Sequence, residues 1–282
     1  MSETIIGVDL GGTKVSVGAV SGGAVTRVVR GDVPSREAAE VVLAAIIDVI
    51  DEVFEPSVVG IGCGVPSVVD VERGIVFDVE NIPSWKEMPL KSALEDRFGV
   101  PASVNNDANA FAVGEHVFGA GRQYADMVGL TLGTGMGTGV IVNGRLYSGH
   151  NCGVGEIGMM AHKDLTLEEY CSGPFFVREY GAPGSEIYRR ARAGEAEAIT
   201  AFERYGAELS EAVMIALYAY DPQAVIFGGS ISAAFGLFEA GLCRGLDRFA
   251  YRRVIERLQM MPSTLENSAV LGAAALYVDA MG

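Results

Sequence analysis

Two aspartates stand where this chain could carry out phosphate chemistry. Asp9 lies in Ile5-Ile6-Gly7-Val8-Asp9-Leu10-Gly11-Gly12-Thr13-Lys14, an apolar run entering two adjacent glycines before the alternation Val15, Val17, Ala19. Glycines at a turn between strands let a bulky anion approach backbone N–H groups, and an acid on the rim can hold a hydrated cation. An ordinary hairpin turn with a polar rim contains the same residue types, so this stretch alone leaves both readings open. Asp107 lies in Asn105-Asn106-Asp107-Ala108-Asn109, ahead of the helical pattern Ala110, Phe111, Val113, Val117. Helix capping by itself accounts for Asn or Asp at that place. In the first helical turn, however, the positive helix end holds an aspartate ionised, and such a carboxylate can take a proton from an attacking hydroxyl.

A second turn of the first kind occurs further along. Met127 to Leu132 reads as a strand, Gly133-Thr134-Gly135-Met136-Gly137-Thr138-Gly139 as a turn, and Val140-Ile141-Val142 as the next strand. It is neither a Walker A loop nor the Rossmann glycine spacing. Two such turns, one opening each half, predict two α/β lobes facing each other across a cleft, each offering N–H groups and a threonine hydroxyl to a phosphate chain. Glu156 lies in Gly153-Val154-Gly155-Glu156-Ile157-Gly158, where a carboxylate has little packing purpose. Glu168, beside Leu167, fits either a solvated or a functional position, whereas Glu169 reads as solvated. Asn81 is a loop amide able to donate to and accept from a sugar hydroxyl, and Trp85 reads as a packing anchor. Gly64, in Gly62-Cys63-Gly64-Val65-Pro66-Ser67, fits a cleft floor or a plain turn. Gly228-Gly229 suits the approach of a flat ring such as adenine, or tight helix–strand packing.

The elements that must position these residues follow from periodicity. Ala24 to Arg30 makes a third strand after the opening pair, and Pro34-Ser35 starts a helix ending before Pro56. Ser57 to Cys63 is a strand, Asp70 to Asp78 a hairpin, Leu90 to Phe98 a helix and Pro101 to Asn105 a strand. Residues 118 to 125 form a glycine-rich connector and the expected boundary between lobes. Beyond it the pattern predicts helices over Phe175 to Tyr180, Gly184 to Ala193 and Ala196 to Tyr220, and a strand at Ala224 to Phe227. A last strand is expected over Val254 to Met261, then a small-residue helix over Ser268 to Ala280 that returns to the first lobe. The expected lobes are residues 1–117 with 268–282, and residues 118–267.

At 282 residues, 49% hydrophobic and rich in glycine, the chain fits an α/β protein of two modest lobes. A formal charge of −15 repels phosphate backbones and anionic membranes, which excludes nucleic-acid and lipid-surface partners from the expectation. Ser2-Glu3-Thr4 leads into the first strand without a signal-peptide pattern, and the longest apolar run, Ala212 to Tyr220, is too short to span a bilayer. A cytoplasmic protein is therefore expected, with Cys63, Cys152, Cys171 and Cys243 as unpaired thiols.

In this order and spacing, the motifs resemble the ROK family of sugar kinases, within the actin and hexokinase superfamily. The resemblance runs from Asp9-Leu10-Gly11-Gly12-Thr13-Lys14 through Gly64-Val65-Pro66, Asn106-Asp107-Ala108-Asn109, Leu132 to Gly137, Gly155-Glu156-Ile157-Gly158, Leu167-Glu168 and Gly228-Gly229 to Gly272-Ala273-Ala274. It implies two actin-like, ribonuclease H-like lobes with mixed sheets flanked by helices, and a homodimer. It implies Asp107 as general base on a sugar 6-hydroxyl, with Asn81, Asn106, Glu156, Glu168 and Gly64 at the sugar. Asp9, Gly11, Gly12, Thr13, Lys14, Thr134 and Gly135 would surround Mg²⁺ and the phosphates of ATP, with Asp9 reaching the metal through water, and Gly228 and Gly229 would lie by adenine. Many members follow Gly-Glu-Ile-Gly with a histidine and a three-cysteine loop that binds structural zinc. Here Met159 holds the histidine position and only eight residues separate Gly158 from Leu167, none a cysteine, so no zinc is expected. An alternative zinc set, His150, Cys152, His162 and Cys171, follows no familiar spacing. Glucose is the first expected acceptor, with N-acetylhexosamines as alternatives. The rivals are a sugar-responsive repressor, opposed by the charge and by the eight residues ahead of Asp9; a catalytically weak sugar sensor, suggested by Met159; and a polyphosphate-using hexokinase, which would need a basic track.

Overall fold

The computed structural model describes residues 3–282, which divide into two compact units. The first comprises the described residues up to Gln123 with Arg145–Val154 and Leu265–Gly282; the second comprises Tyr124–Gly144 and Gly155–Thr264. The short piece Arg145–Val154 belongs with the first unit, a return that no local pattern announced. Among the described residues no helix is long and apolar enough to cross a membrane.

In the first unit β1 (Thr4–Leu10), β2 (Lys14–Ser21) and β3 (Ala24–Asp32) form a meander, followed by α1 (Ala39–Asp51) and β4 (Val58–Val65). The helix begins five residues after Pro34, because 34–37 fold into turns in which Ser35 N–H reaches Val33 O and Glu37 N–H reaches Pro34 O. A small sheet of β5 (Val68–Asp70), β6 (Ile75–Phe77) and β7 (Glu87–Met88) carries the expected hairpin, and Trp85, just before β7, is buried with its ring N–H 3.4 Å from Ala39 O. Then come α2 (Leu90–Phe98), β8 (Ala102–Asn106) and α3 (Asp107–Val117). The main sheet has the order β3-β2-β1-β4-β8, with β2 antiparallel to β1 and with β4 and β8 parallel.

The second unit repeats this plan. β9 (Met127–Leu132) pairs antiparallel with β10 (Met136–Val142), which runs to the Asn143-Gly144 turn ahead of β11 (Arg145–Leu146). The short hairpin β12 (Ala161–His162) and β13 (Leu165–Thr166) precedes α4 (Leu167–Cys171), α5 (Gly173–Tyr180), α6 (Gly184–Arg192) and α7 (Ala196–Tyr220). β14 (Ala224–Gly228) lies parallel to β9, α8 (Phe235–Leu246) follows, and after the single turn α9 (Arg252–Ile255) comes β15 (Gln259–Pro262), parallel to β14. The antiparallel-then-parallel sequence β2-β1-β4-β8 thus recurs as β10-β9-β14-β15. Phe175, Phe176, Phe202, Tyr205 and Phe238 form the aromatic core here, and the buried Tyr205 hydroxyl donates to Cys171 O at 2.7 Å, fixing the end of α4.

Two expectations need correction. The last strand does not begin at Val254: Arg252–Ile255 coil into a helical turn, and the four residues with a partner on β14, from Ala224↔Gln259 to Phe227↔Pro262, make the strand. The glycine-threonine turn is shorter than 133–139, because Met136, Thr138, Val140 and Ile141 are buried along a strand that starts at Met136.

The final helix, α10 (Ser268–Met281), packs on β1, β4 and α3 of the first unit. Small residues permit this contact. A Cβ added at Gly7 would lie 2.0 Å from Val270 O, one at Gly62 1.8 Å from Ala273 O, and one at Gly114 2.7 Å from Gly272 Cα.

Candidate functional site

In the first unit, register brings the expected residues together. Asp9 on β1 pairs with Gly64 on β4, which pairs with Asn105 on β8, so three neighbouring strands end in one row at the start of α3. Gly64 allows this closeness: a Cβ there would lie 3.6 Å from Asp107 Cα and 3.3 Å from the Ala110 methyl. Asn106 is the N-cap, its Oδ1 accepting from Ala108 N–H at 2.8 Å, so capping and function share the motif across adjacent residues. In the β1–β2 turn, Gly11 N–H donates to Lys14 O at 2.8 Å, while the N–H groups of Gly12 and Thr13 have no partner among the described residues. Asn81 packs on this turn, since a Cβ at Gly12 would lie 2.3 Å from Asn81 Cβ. Lys14 turns to β3, where its amine donates to Asp32.

Both acids are held above the ordinary carboxylate range. Asp107 keeps an accessible face to solvent while protein crowds its other sides, and this desolvation pushes its carboxyl up to about 6. The Ala108 N–H works in the opposite direction, and the negative charge of Asp9 adds to the rise. Burial also raises Asp9, whose carboxylate has no hydrogen bond or ion pair among the described residues. An unpaired, half-buried carboxylate beside free N–H groups is a donor set that fits a hydrated divalent cation carrying phosphates.

Asn105 is a hub that the sequence did not reveal. Its Oδ1 accepts from Asn106 N–H at 2.8 Å, from Asn109 Nδ2 at 2.9 Å and from Cys152 Sγ at 3.2 Å, while its Nδ2 donates to Ser148 at 3.1 Å. It thereby ties the returning segment 145–154 to the start of α3.

The second unit holds Thr134, Gly135, Glu156, Glu168, Gly228 and Gly229. Its turn repeats the first: Gly133 N–H donates to Gly135 O at 3.0 Å, and the N–H groups of Thr134 and Gly135 have no partner among the described residues. Glu168 is not a solvated side chain, because its Oε2 accepts from Met136 N–H at 2.7 Å. Gly229, at φ +77°, crosses the end of β9 so closely that a Cβ would lie 2.3 Å from Leu132 O, and Ser230 Oγ faces Gly133. Glu156 is exposed on a helical turn, and Met159 on the same turn is 65% exposed. An apolar cavity of about 600 Å³ adjoins Thr134, lined also by Gly173, Pro174, Val177 and Pro183. Its signal in sequence was the Gly173-Pro174 start of a helix following Ser172.

The hairpin Ala161–Thr166 fills the interval between Gly158 and Leu167. His162 Nε2 lies 3.3 Å from Glu208 Oε2, Lys163 donates to the same carboxylate at 2.6 Å, and Tyr170 donates to Asp164. Burial opposes the Glu208 charge, but the hydrogen bonds from Lys163 and His162 and the Lys163 charge hold its carboxyl below the usual range. Among the described residues no three His, Cys, Asp or Glu side chains group as metal ligands, and Cys152 serves Asn105 instead. The alternative zinc set is not assembled.

The model of the ROK family matches residues 5–280. The chain is 33% identical to a glucokinase of Thermotoga maritima, over 99% of this chain and 98% of that one. It is 27% identical to a xylose repressor of Bacillus subtilis, over 78% of this chain and 61% of the repressor. Among solved structures, a ROK family glucokinase from Streptomyces griseus in complex with glucose and AMPPNP superposes with a TM-score of 0.81 at 28% identity, covering 97% of this chain and 98% of that one. With a family match from the first strand to the last helix, the chain belongs to the ROK family.

Proposed function

We propose that this protein is a sugar kinase that transfers the γ-phosphoryl group of Mg·ATP to the 6-hydroxyl of a hexose, glucose first, with N-acetylhexosamines as the alternative acceptors. The observation that carries the reading is Asp107, an acid with its pKa near 6 at the start of α3, next to an N-cap amide and two strands from Asp9. A base poised near working pH is what proton removal from a hydroxyl requires. Likeness to the Thermotoga glucokinase supports the same reaction class.

In this mechanism the free N–H pairs at Gly12–Thr13 and Thr134–Gly135 bind phosphate oxygens, and Asp9 holds Mg²⁺ through water. An ion held there would neutralise charge on the phosphates. The apolar cavity at Thr134 takes the nucleotide base, a volume in the range that small-molecule pockets occupy. Asn81, Asn106, Glu156 and Glu168 bind sugar hydroxyls, and Asp107 accepts the 6-hydroxyl proton as the oxygen bonds to the γ-phosphorus and the bond from that phosphorus to the bridging oxygen breaks, releasing ADP. Because the phosphoryl-transfer transition state is loose, alignment and the N–H donors supply most of the acceleration. The test is an ADP-release assay over glucose, mannose, fructose, N-acetylglucosamine and N-acetylmannosamine. Asp107→Ala is expected to lower kcat by about 10²–10⁴-fold with the thermal transition retained. Near-normal turnover in that variant would remove Asp107 as the base, and no turnover on any sugar would favour the sensor that the repressor likeness suggests.

A further inference from the structure

The phosphate turn and the expected sugar carboxylate of the second unit are one hydrogen-bonded assembly. Glu168 Oε2 accepts from Met136 N–H at 2.7 Å and lies 2.5 Å from where a Cβ on Gly135 would stand. Its other carboxylate oxygen has no partner among the described residues. The buried Ser172 hydroxyl donates to Glu168 O at 2.7 Å and lies 3.4 Å from Thr134 O. Gly173 N–H donates to Gly133 O at 2.8 Å. Gly133, Thr134 and Met136 are therefore each held by the segment Glu168–Gly173, Glu168 lies against Gly135 between them, and Tyr205 fixes the segment through Cys171 O.

We propose that this segment couples sugar binding to phosphate binding, with Glu168 as the contact and Ser172 as the positioning residue. A sugar hydroxyl donating to Glu168 Oε1 restrains the carboxylate at both oxygens, so Oε2 stays on Met136 N–H and the turn keeps the shape that presents Thr134 and Gly135 N–H. Without the sugar the carboxylate can swing away and the turn loosens. By linkage, sugar tightens nucleotide and nucleotide tightens sugar by the same factor. The Ser172 hydroxyl transmits the restraint because it bonds to the Glu168 backbone while contacting the middle of the turn. This inference rests on the kinase reading and adds the link between its two substrates.

The test is calorimetric titration of a non-hydrolysable ATP analogue with Mg²⁺, with and without saturating glucose, on the full chain. The unaltered protein is expected to show sugar tightening nucleotide at least about fivefold, the lower end of ordinary couplings. In Ser172→Ala the factor is expected to fall below about twofold while the Kd of glucose alone and the thermal transition are kept. Ser172→Cys, which retains a weak donor, is expected to recover part of the coupling. Undiminished coupling in Ser172→Ala, or glucose binding without coupling in the unaltered protein, overturns the inference and leaves the kinase reading intact. Absence of binding to glucose or any other sugar of the panel overturns the kinase reading and the inference with it.

Discussion

At pH 7 Asp107 carries a charge that its surroundings resist, because crowding and the neighbouring Asp9 favour the protonated acid. For a carboxylate whose pKa is raised on folding, the native state binds the extra proton between its own pKa and the ordinary value near 4. Its contribution to stability is therefore greatest at low pH and is lost as pH rises through about 6. Asp107→Asn is accordingly expected to raise Tm at pH 7, an advantage that fades as pH falls toward 4; solvent access at the carboxylate keeps the gain small. The same titration governs activity in the opposite sense. kcat/KM is expected to fall with unit slope as pH drops below about 6, and a profile flat to pH 5 would contradict a base with this pKa. Asp107 was legible because acid, cap and helical pattern are contiguous. Asn105 and Ser172 were not, because Asn105 acquires its meaning from Ser148 and Cys152 and Ser172 from Thr134, more than 35 positions away in each case.

The elements were legible wherever a periodic pattern had clear punctuation. β9, α2 and α7 have the bounds that periodicity gave, whereas Val254 and Ile255, β-branched residues between charged neighbours, form a helical turn because β14 offers partners only from Gln259 onward. The seating of α10 was legible as a run of small residues, and the structure supplies its tolerance. Gly62→Ala would place a methyl within 1.8 Å of Ala273 O, a backbone atom that cannot rotate aside. That variant is expected to lose about 1–3 kcal/mol, read as a lower urea midpoint at unchanged m-value. Glycines with no neighbour near the added methyl and ordinary backbone angles, such as Gly236, are expected to tolerate alanine.

For the molecule as a whole, a formal charge of −15 opposes the approach of a polyanionic nucleotide. Local N–H donors act at contact, whereas the net field acts over a Debye length, about 30 Å at 0.01 M salt and 8 Å at 0.15 M. KM for Mg·ATP is therefore expected to decrease as ionic strength rises between those values, and an increase would show that contact pairs dominate the field. The doubled sheet plan was legible from two similar turns, but the return of Arg145–Val154 to the first unit was not: the chain passes between the units after Gln123, Gly144, Val154 and Thr264. The seating of α10 on β1, β4 and α3 then bears on synthesis. β1, β2 and β4 leave the ribosome at least about 200 residues before the segment that covers them, with Gly7, Gly18 and Gly62 exposing backbone until Val270 and Ala273 arrive. The first unit is thus completed only after the second, and a chain stopped at Thr264 would carry a finished second unit and an open first one.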